Sequence, residues 1–156
     1  MLVLGEMATD EGHGRSLAQE ALDTGKAWER FKALVTAQGG DVDYVEDPER
    51  LPKAPLVERV PAPQMGYLDA VNAQVIGETA VLLGAGRARK GDPIDHAVGL
   101  QVLHKVGDRV AAGEALFIVH ANDRSLLAEA RLRLLAAHAW SETPVEPLPL
   151  FYGVIR

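Results

Sequence analysis

The sequence predicts an α+β protein in two parts: the terminal helices of an all-α domain, followed by a small α/β module of short strands. Three observations predict it. Apolar residues recur at helical spacing in two adjacent segments before residue 40. An acidic and then proline-rich stretch interrupts every regular pattern. Beyond it, short alternating runs are punctuated by Gly-Asp and Gly-Glu turn signals. The expected division is 1–40 for the end of the helical domain, 41–63 for a linker or hinge, and 64–156 for the C-terminal module.

Taken in order, "MLVLG" has the composition of the last turn of an apolar helix. "DEGHGRSLAQEALDTG" follows as a helix with Leu17, Ala18, Ala21 and Leu22 on one face, stopped by Gly25. A second helix, "KAWERFKALVTAQGG", places Trp28, Phe31, Leu34 and Val35 at spacings of three and four, which marks Trp28 and Phe31 as core and not a stacking platform, and stops at Gly39 and Gly40. Two such helices cannot enclose a core by themselves, so their apolar faces are expected to meet further chain. "DVDYVED" then concentrates acids, and prolines follow at 52, 55, 61 and 63.

"MGYLDAV" alternates as a strand, and "NAQVIGETAVLLG" carries Val75, Ile76, Thr79, Ala80 and Leu83 at helical spacing. "VGLQVLH" is expected as a strand and "KVGDRVAAGEALFIVHA" as strand, turn and strand. A last helix is expected through "SLLAEARLRLLAAHAW", broken by Pro144, Pro147 and Pro149 before a terminal strand, "LFYGVIR".

Hydrophobic residues make up 47% of the 156 residues and charged ones 24%, the composition of a globular rather than a disordered chain. A net charge of -6 supplies no positive field to gather nucleic acid or anionic lipid, so neither is an expected partner. With no cysteine there are no disulfides and no thiol chemistry. No apolar run approaches the roughly 20 residues of a spanning helix, and the opening lacks the basic region of a secretory signal. A soluble, cytoplasmic chain is expected.

The segment "LLGAGRARKGDPIDHAVGL" sets glycines beside bases, as phosphate-holding loops do. The nucleotide patterns fail in it. Gly86 and Gly91 have the spacing of a Walker loop, but Asp92 and Pro93 stand where a lysine and a hydroxyl are needed. The third glycine of a dinucleotide fingerprint is replaced by Arg89, and the expected order is helix then strand, the reverse of that motif. Gly84 and Gly86 suit helix termination, and bases near a helix C-terminus complement its dipole. Gly84, Gly86, Arg87 and Lys90 are therefore candidates for a turn that doubles as a substrate-contacting lid.

Elsewhere the chemistry is thin. The histidines at 13, 96, 104, 120 and 138 lack zinc spacing, so no metal and no resident cofactor are expected. Asp92 and Asp95 are placed for turn bonds around Pro93. No serine has a nucleophile elbow. "KVGDRVAAGEALFIVHAND" has the turn pattern of a biotinyl or lipoyl domain, so a barrel-sandwich arrangement of strands is expected. The tip His120-Ala121-Asn122-Asp123-Arg124 has no lysine to carry a cofactor.

Together, "GKAWERFKALVTAQGGD", "LGAGRARKGDPIDHAVGL" and "KVGDRVAAGEALFIVHAND" resemble, in this order, the C-terminal third of bacterial pyrimidine-nucleoside and thymidine phosphorylases. The resemblance covers essentially the whole chain. It implies part of a dimeric pentosyltransferase of pyrimidine salvage that uses inorganic phosphate as co-substrate to release a base and a pentose 1-phosphate from uridine, thymidine or deoxyuridine. The family's phosphate-binding, pyrimidine-binding and metal-binding motifs belong to the N-terminal two-thirds and are not in this sequence. It follows that no catalytic residue is assigned here, that the chain alone is expected to be inactive, and that its expected partner is the N-terminal catalytic portion. A start inside the family pattern fits an engineered fragment, a proteolytic piece, a split gene or a shortened reading frame. Two other readings stay open: a cofactor-free binding module of biotinyl-like shape, and a scaffold that docks onto a separately encoded chain.

Overall fold

Asp10 begins the first helix. Its Oδ1 accepts the His13 N–H at 2.8 Å, satisfying one of the amides that a helix leaves unbonded at its start. The computed structural model describes residues 1–153. They divide into two compact units, one spanning Met1–Leu51 and one beginning at Pro52.

In the first unit α1 (Glu11–Asp23) and α2 (Lys26–Ala37) are followed by a single helical turn, α3 (Asp43–Glu46), and a 3-10 turn at Pro48–Arg50. "MLVLG" forms one turn, with the Gly5 N–H on Met1 O at 2.9 Å. α2 stops as expected: Gly39 N donates to Thr36 O at 3.0 Å and Gly40 N to Val35 O at 2.9 Å, the paired bonds that close a helix end. Lys32 bridges Glu29 at 3.0 Å and Glu46 at 3.2 Å. The two carboxylates hold its ammonium above the usual lysine range.

Trp28 and Phe31 touch ring to ring, with centroids 5.9 Å apart, but each is 47% exposed and Leu34 is 52% exposed. The expectation of core burial for Trp28 and Phe31 is therefore not met within the unit. Two helices supply too little surface to cover them.

Among its described residues the second unit holds six strands and two helices: β1 (Leu56–Pro61), β2 (Gly66–Val71), α4 (Ala73–Leu83), β3 (Gly99–Val102), β4 (Arg109–Val110), β5 (Ala115–Ala121), α5 (Arg124–Ala136) and β6 (His138–Ser141). They form two three-stranded sheets, in the orders β1-β5-β3 and β4-β2-β6. Every pairing is antiparallel. This corrects the expected barrel-sandwich. The sheets stay open, because β1 and β3 end one and β4 and β6 end the other, and among the described residues no strand of one sheet pairs with the other. The turn pattern that prompted the expectation is local, whereas closure needs long-range pairing that a local motif does not encode.

β5 lies at the centre of its sheet, and Leu116, Phe117, Val119 and Ala121 on it are fully buried. Such a strand is a continuous apolar run, "ALFIV", rather than an alternation. Leu68, Val60 and Val110 from the strands and Ala130 and Leu134 from α5 complete the core. Each large side chain contributes about 1.5–3 kcal/mol by leaving water. Buried Thr79 is satisfied by its own helix, donating to Val75 O at 2.6 Å.

Two elements depart from expectation. β1 forms within the proline-rich stretch, paired from Leu56↔Ala121 to Val60↔Phe117, with a register shift at Pro61. The last helix ends at Ala136, and His138–Ser141 joins β2 as β6. His138 marks that corner. Its Nδ1–H donates to Leu134 O at 2.6 Å, its ring stacks on Phe117 at 5.7 Å, and its buried Nε2 has no hydrogen-bond partner. Burial holds this imidazole below the ordinary histidine value despite the bond to Leu134, which acts the other way.

The expected terminal strand is absent from residues 150–153, and the rest of "LFYGVIR" lies outside the described residues. The tail before it crosses the turn that precedes β4. Gly107, at φ 94, has no side chain where a Cβ would stand 2.9 Å from Pro147 Cα. Val71, Val102, His104, Pro147 and Leu148 line a groove of about 510 Å³ beside it. Among the described residues no helix is long and apolar enough to cross a membrane.

Candidate functional site

Asn72 Oδ1 accepts the Val75 N–H at 3.2 Å and starts α4; the helix ends where the glycines begin. Gly84 adopts φ 108, a left-handed conformation that costs a side-chain-bearing residue about 1–2 kcal/mol. Its N–H donates to Val81 O and that of Ala85 to Ala80 O, each at 3.0 Å. Gly86 lies against the same turn, and a Cβ there would stand 2.8 Å from Val81 Cγ2. Both glycines thus turn the chain sharply out of the helix.

The exposed tip that follows is folded on Asp92. Arg87 Nε donates to Asp92 O at 3.1 Å, and the Arg89 N–H donates to Asp92 Oδ2 at 2.7 Å. The Asp92 N–H returns to Arg89 O at 3.1 Å. Arg87, Arg89 and Lys90 are all exposed within this turn. Of the four sequence-derived candidates, Gly84 and Gly86 shape the turn, Arg87 is bonded across its base, and Lys90 stands at its exposed end.

The loop closes at Asp95. Its N–H donates to Gly84 O at 2.9 Å; its Oδ1 accepts the Ala97 N–H at 2.9 Å; and its Oδ2 accepts from Asn122 Nδ2. Asn122 precedes the cap of α5, where Asp123 Oδ1 accepts the N–H groups of Ser125 at 2.8 Å and Leu126 at 2.9 Å. Ser125 Oγ also donates to Asp123, and these bonds, the hydroxyl's foremost, lower the Asp123 pKa. The spacing of Asp92 and Asp95 around Pro93 was readable as turn bonding. The partner Asn122, 27 residues on, had no local signal.

What the loop can do chemically is to present cations on a braced turn to an anionic or polar ligand. It brings together no nucleophile and general base. Among the described residues no group of three or more His, Asp or Glu side chains could hold a metal ion. His104 lies 3.8 Å from Asp108 and 3.5 Å from Glu114 and lines the groove at the tail, which contains none of the loop residues.

Residues 67–140 match the family model of the pyrimidine nucleoside phosphorylase C-terminal domain. The chain is 41% identical over 155 residues to a thymidine phosphorylase of Burkholderia cenocepacia, covering 99% of this chain and 35% of that protein. It is 39% identical over 152 residues to a thymidine phosphorylase of Burkholderia orbicola, covering 97% of this chain and 35% of that protein. To a pyrimidine-nucleoside phosphorylase of Geobacillus stearothermophilus it is 37% identical over 155 residues, covering 99% of this chain and 36% of that protein. The chain thus spans 35–36% of the length of the curated relatives it matches.

Proposed function

Because this chain carries the C-terminal domain of the pyrimidine-nucleoside and thymidine phosphorylase family, we propose that it acts as the C-terminal portion of such an enzyme. The whole enzyme would transfer the pentose of a pyrimidine nucleoside to inorganic phosphate. A phosphate oxygen forms a bond to the anomeric carbon as the N-glycosidic bond breaks; the base departs with the bonding electrons and takes up a proton. The products are a free base and a pentose 1-phosphate. Phosphate is the co-substrate and no resident cofactor takes part.

The partner is the N-terminal catalytic portion of the same enzyme, the assembly is a homodimer, and it works in the cytoplasm. Residues 1–40 end the helical domain, 41–63 cross from it and supply β1 on the way, and 64–156 make up the rest of the C-terminal module. Alone, the chain is inactive. The observation that carries this reading is the 41% identity running through 99% of the chain. The half-exposed apolar stripe of α2 adds support, since further chain would cover it.

The loop at 84–92 is the part we assign to the cleft. Such a transfer needs phosphate held behind the anomeric carbon with water excluded, which requires domains to close around the substrates. Arg87, with Lys90 beside it, secures the closed form, and Gly84 and Gly86 set the turn that presents them.

The test is phosphate-dependent release of uracil or thymine from uridine or thymidine. It is run on the chain alone and then on the chain mixed with the N-terminal portion of a related phosphorylase. Silence alone and activity on mixing support the reading. Activity of the chain alone refutes the claim that its catalytic residues lie elsewhere, and silence in both refutes complementation.

A further inference from the structure

We infer that Asp95 and Asn122 are a positioning pair that fixes the 84–97 loop to the start of α5. Three segments meet at Asp95. Its backbone N–H on Gly84 O, at 2.9 Å, closes the mouth of the loop. Its Oδ1 takes the Ala97 N–H at 2.9 Å and fixes the exit toward β3. Its Oδ2 takes the Asn122 amide, which belongs to another part of the chain.

The far side of that bond is rigid. Asn122 lies between Ala121, fully buried at the end of β5, and Asp123, whose carboxylate caps α5. α5 is in turn anchored by Ala130 and Leu134, both fully buried. The bonds of the tip are of a different kind: Asp92 holds Arg87 and Arg89 within the loop and leaves its direction free. Direction is set at the base, through Asp95. A Cβ at Gly84 would meet Asp95 Cβ at 3.6 Å and Val98 Cγ2 at 3.7 Å in ordinary contact, so its bare Cα answers to φ 108 and not to crowding where the chain returns.

The sequence elements "PIDHAVG" and "HAND" thus act as one device. The placement stands on these bonds; an effect on turnover rests on the proposed role of the loop.

The test is amide hydrogen exchange on the full chain, read by mass spectrometry over 84–97, in three variants. Asn122→Ala removes the bridge. Asn122→Asp sets two carboxylates against each other. The swap Asp95→Asn with Asn122→Asp restores one carboxylate and one amide to the contact. Losing one solvent-exposed hydrogen bond should speed exchange across the loop by about threefold to tenfold in both single variants. The swap should return it to within about twofold of the parent. The amides of Ser125 and Leu126, held by Asp123, report that α5 remains formed.

Unchanged exchange in Asn122→Ala with α5 intact overturns the inference, as does a swap no better than Asn122→Asp alone. The same variants are assayed for turnover after mixing with the N-terminal portion of a related phosphorylase. Exchange that responds while turnover does not would leave the pair standing and remove the loop from the catalytic cycle. Turnover that falls in Asn122→Asp and recovers in the swap ties the two together.

Discussion

Replacing Gly107 with alanine separates two costs that usually arrive together. Gly107 and Gly113 flank the short strand β4, at φ 94 and 82 respectively. A Cβ at either forces an ordinary residue into the left-handed region, for about 1–2 kcal/mol. At Gly113 that is the whole penalty, because nothing lies within 4 Å of the new atom. At Gly107 the new atom would stand 2.9 Å from Pro147 Cα and 3.0 Å from both its N and its Cγ. Two of these are backbone atoms of a ring-locked residue and cannot swing aside, so overlap adds about 1–3 kcal/mol.

Gly107→Ala should therefore cost about 2–5 kcal/mol and Gly113→Ala about 1–2. Urea unfolding followed by Trp140 fluorescence in a Trp28→Phe background reports on the second unit alone. Removing residues 144–156 should bring the two costs together, because only the tail distinguishes them. Equal costs in the intact chain would refute the reasoning, as would a difference that survives removal of the tail.

Leu134 and Leu132 sit on the same helix with opposite fates, fully buried and 65% exposed. Leu134→Ala should cost about 2–5 kcal/mol and Leu132→Ala less than about 0.5, read from the same unfolding curves. Burial holds His138 below its ordinary value, so the unfolded chain takes up this proton first as pH falls. Its contribution is complete above the unfolded value of about 6.5 and is lost as pH drops below it toward the folded value. Parent minus His138→Leu stability, measured between pH 7.5 and 5, should decline toward acid; a flat difference would exclude His138 as the source. Arg87→Ala, in an enzyme reconstituted with an N-terminal portion, should lower turnover by about tenfold or more while moving the unfolding midpoint little. Unchanged kinetics would remove the loop's proposed role.

The helices were legible wherever local chemistry marks both ends. Asp10 and Asp123 cap, Gly39, Gly40 and Gly84 stop, and the apolar spacing between them is regular. β6 was not legible, because "LLAAHAW" continues a helical composition with no glycine or proline to end it. The chain turns at Ala137 through the His138 bond to Leu134 O and the pairing of β6 with β2, both invisible to a local pattern. β1 was hidden by the prolines around it. An edge strand tolerates them, since one side of its backbone needs no partner and Pro61 falls at the register shift. In the candidate site, glycines and bases identified the loop. Its attachment to Asn122 was unreadable, because a bond between residues so far apart in sequence leaves no periodicity.

The pairing of β1 with β5 has a practical consequence for where this protein can be cut. The span that matches the family model begins at residue 67, beyond the end of β1. Trimming to that span would bare one full side of β5, from Phe117 to Ala121, on the most deeply buried strand of its sheet. A row of unpaired N–H and C=O groups beside apolar side chains is a template on which another copy adds its own strand. A soluble truncation must instead start before Leu56, because the span that the family model matches is shorter than the stretch that has to fold together.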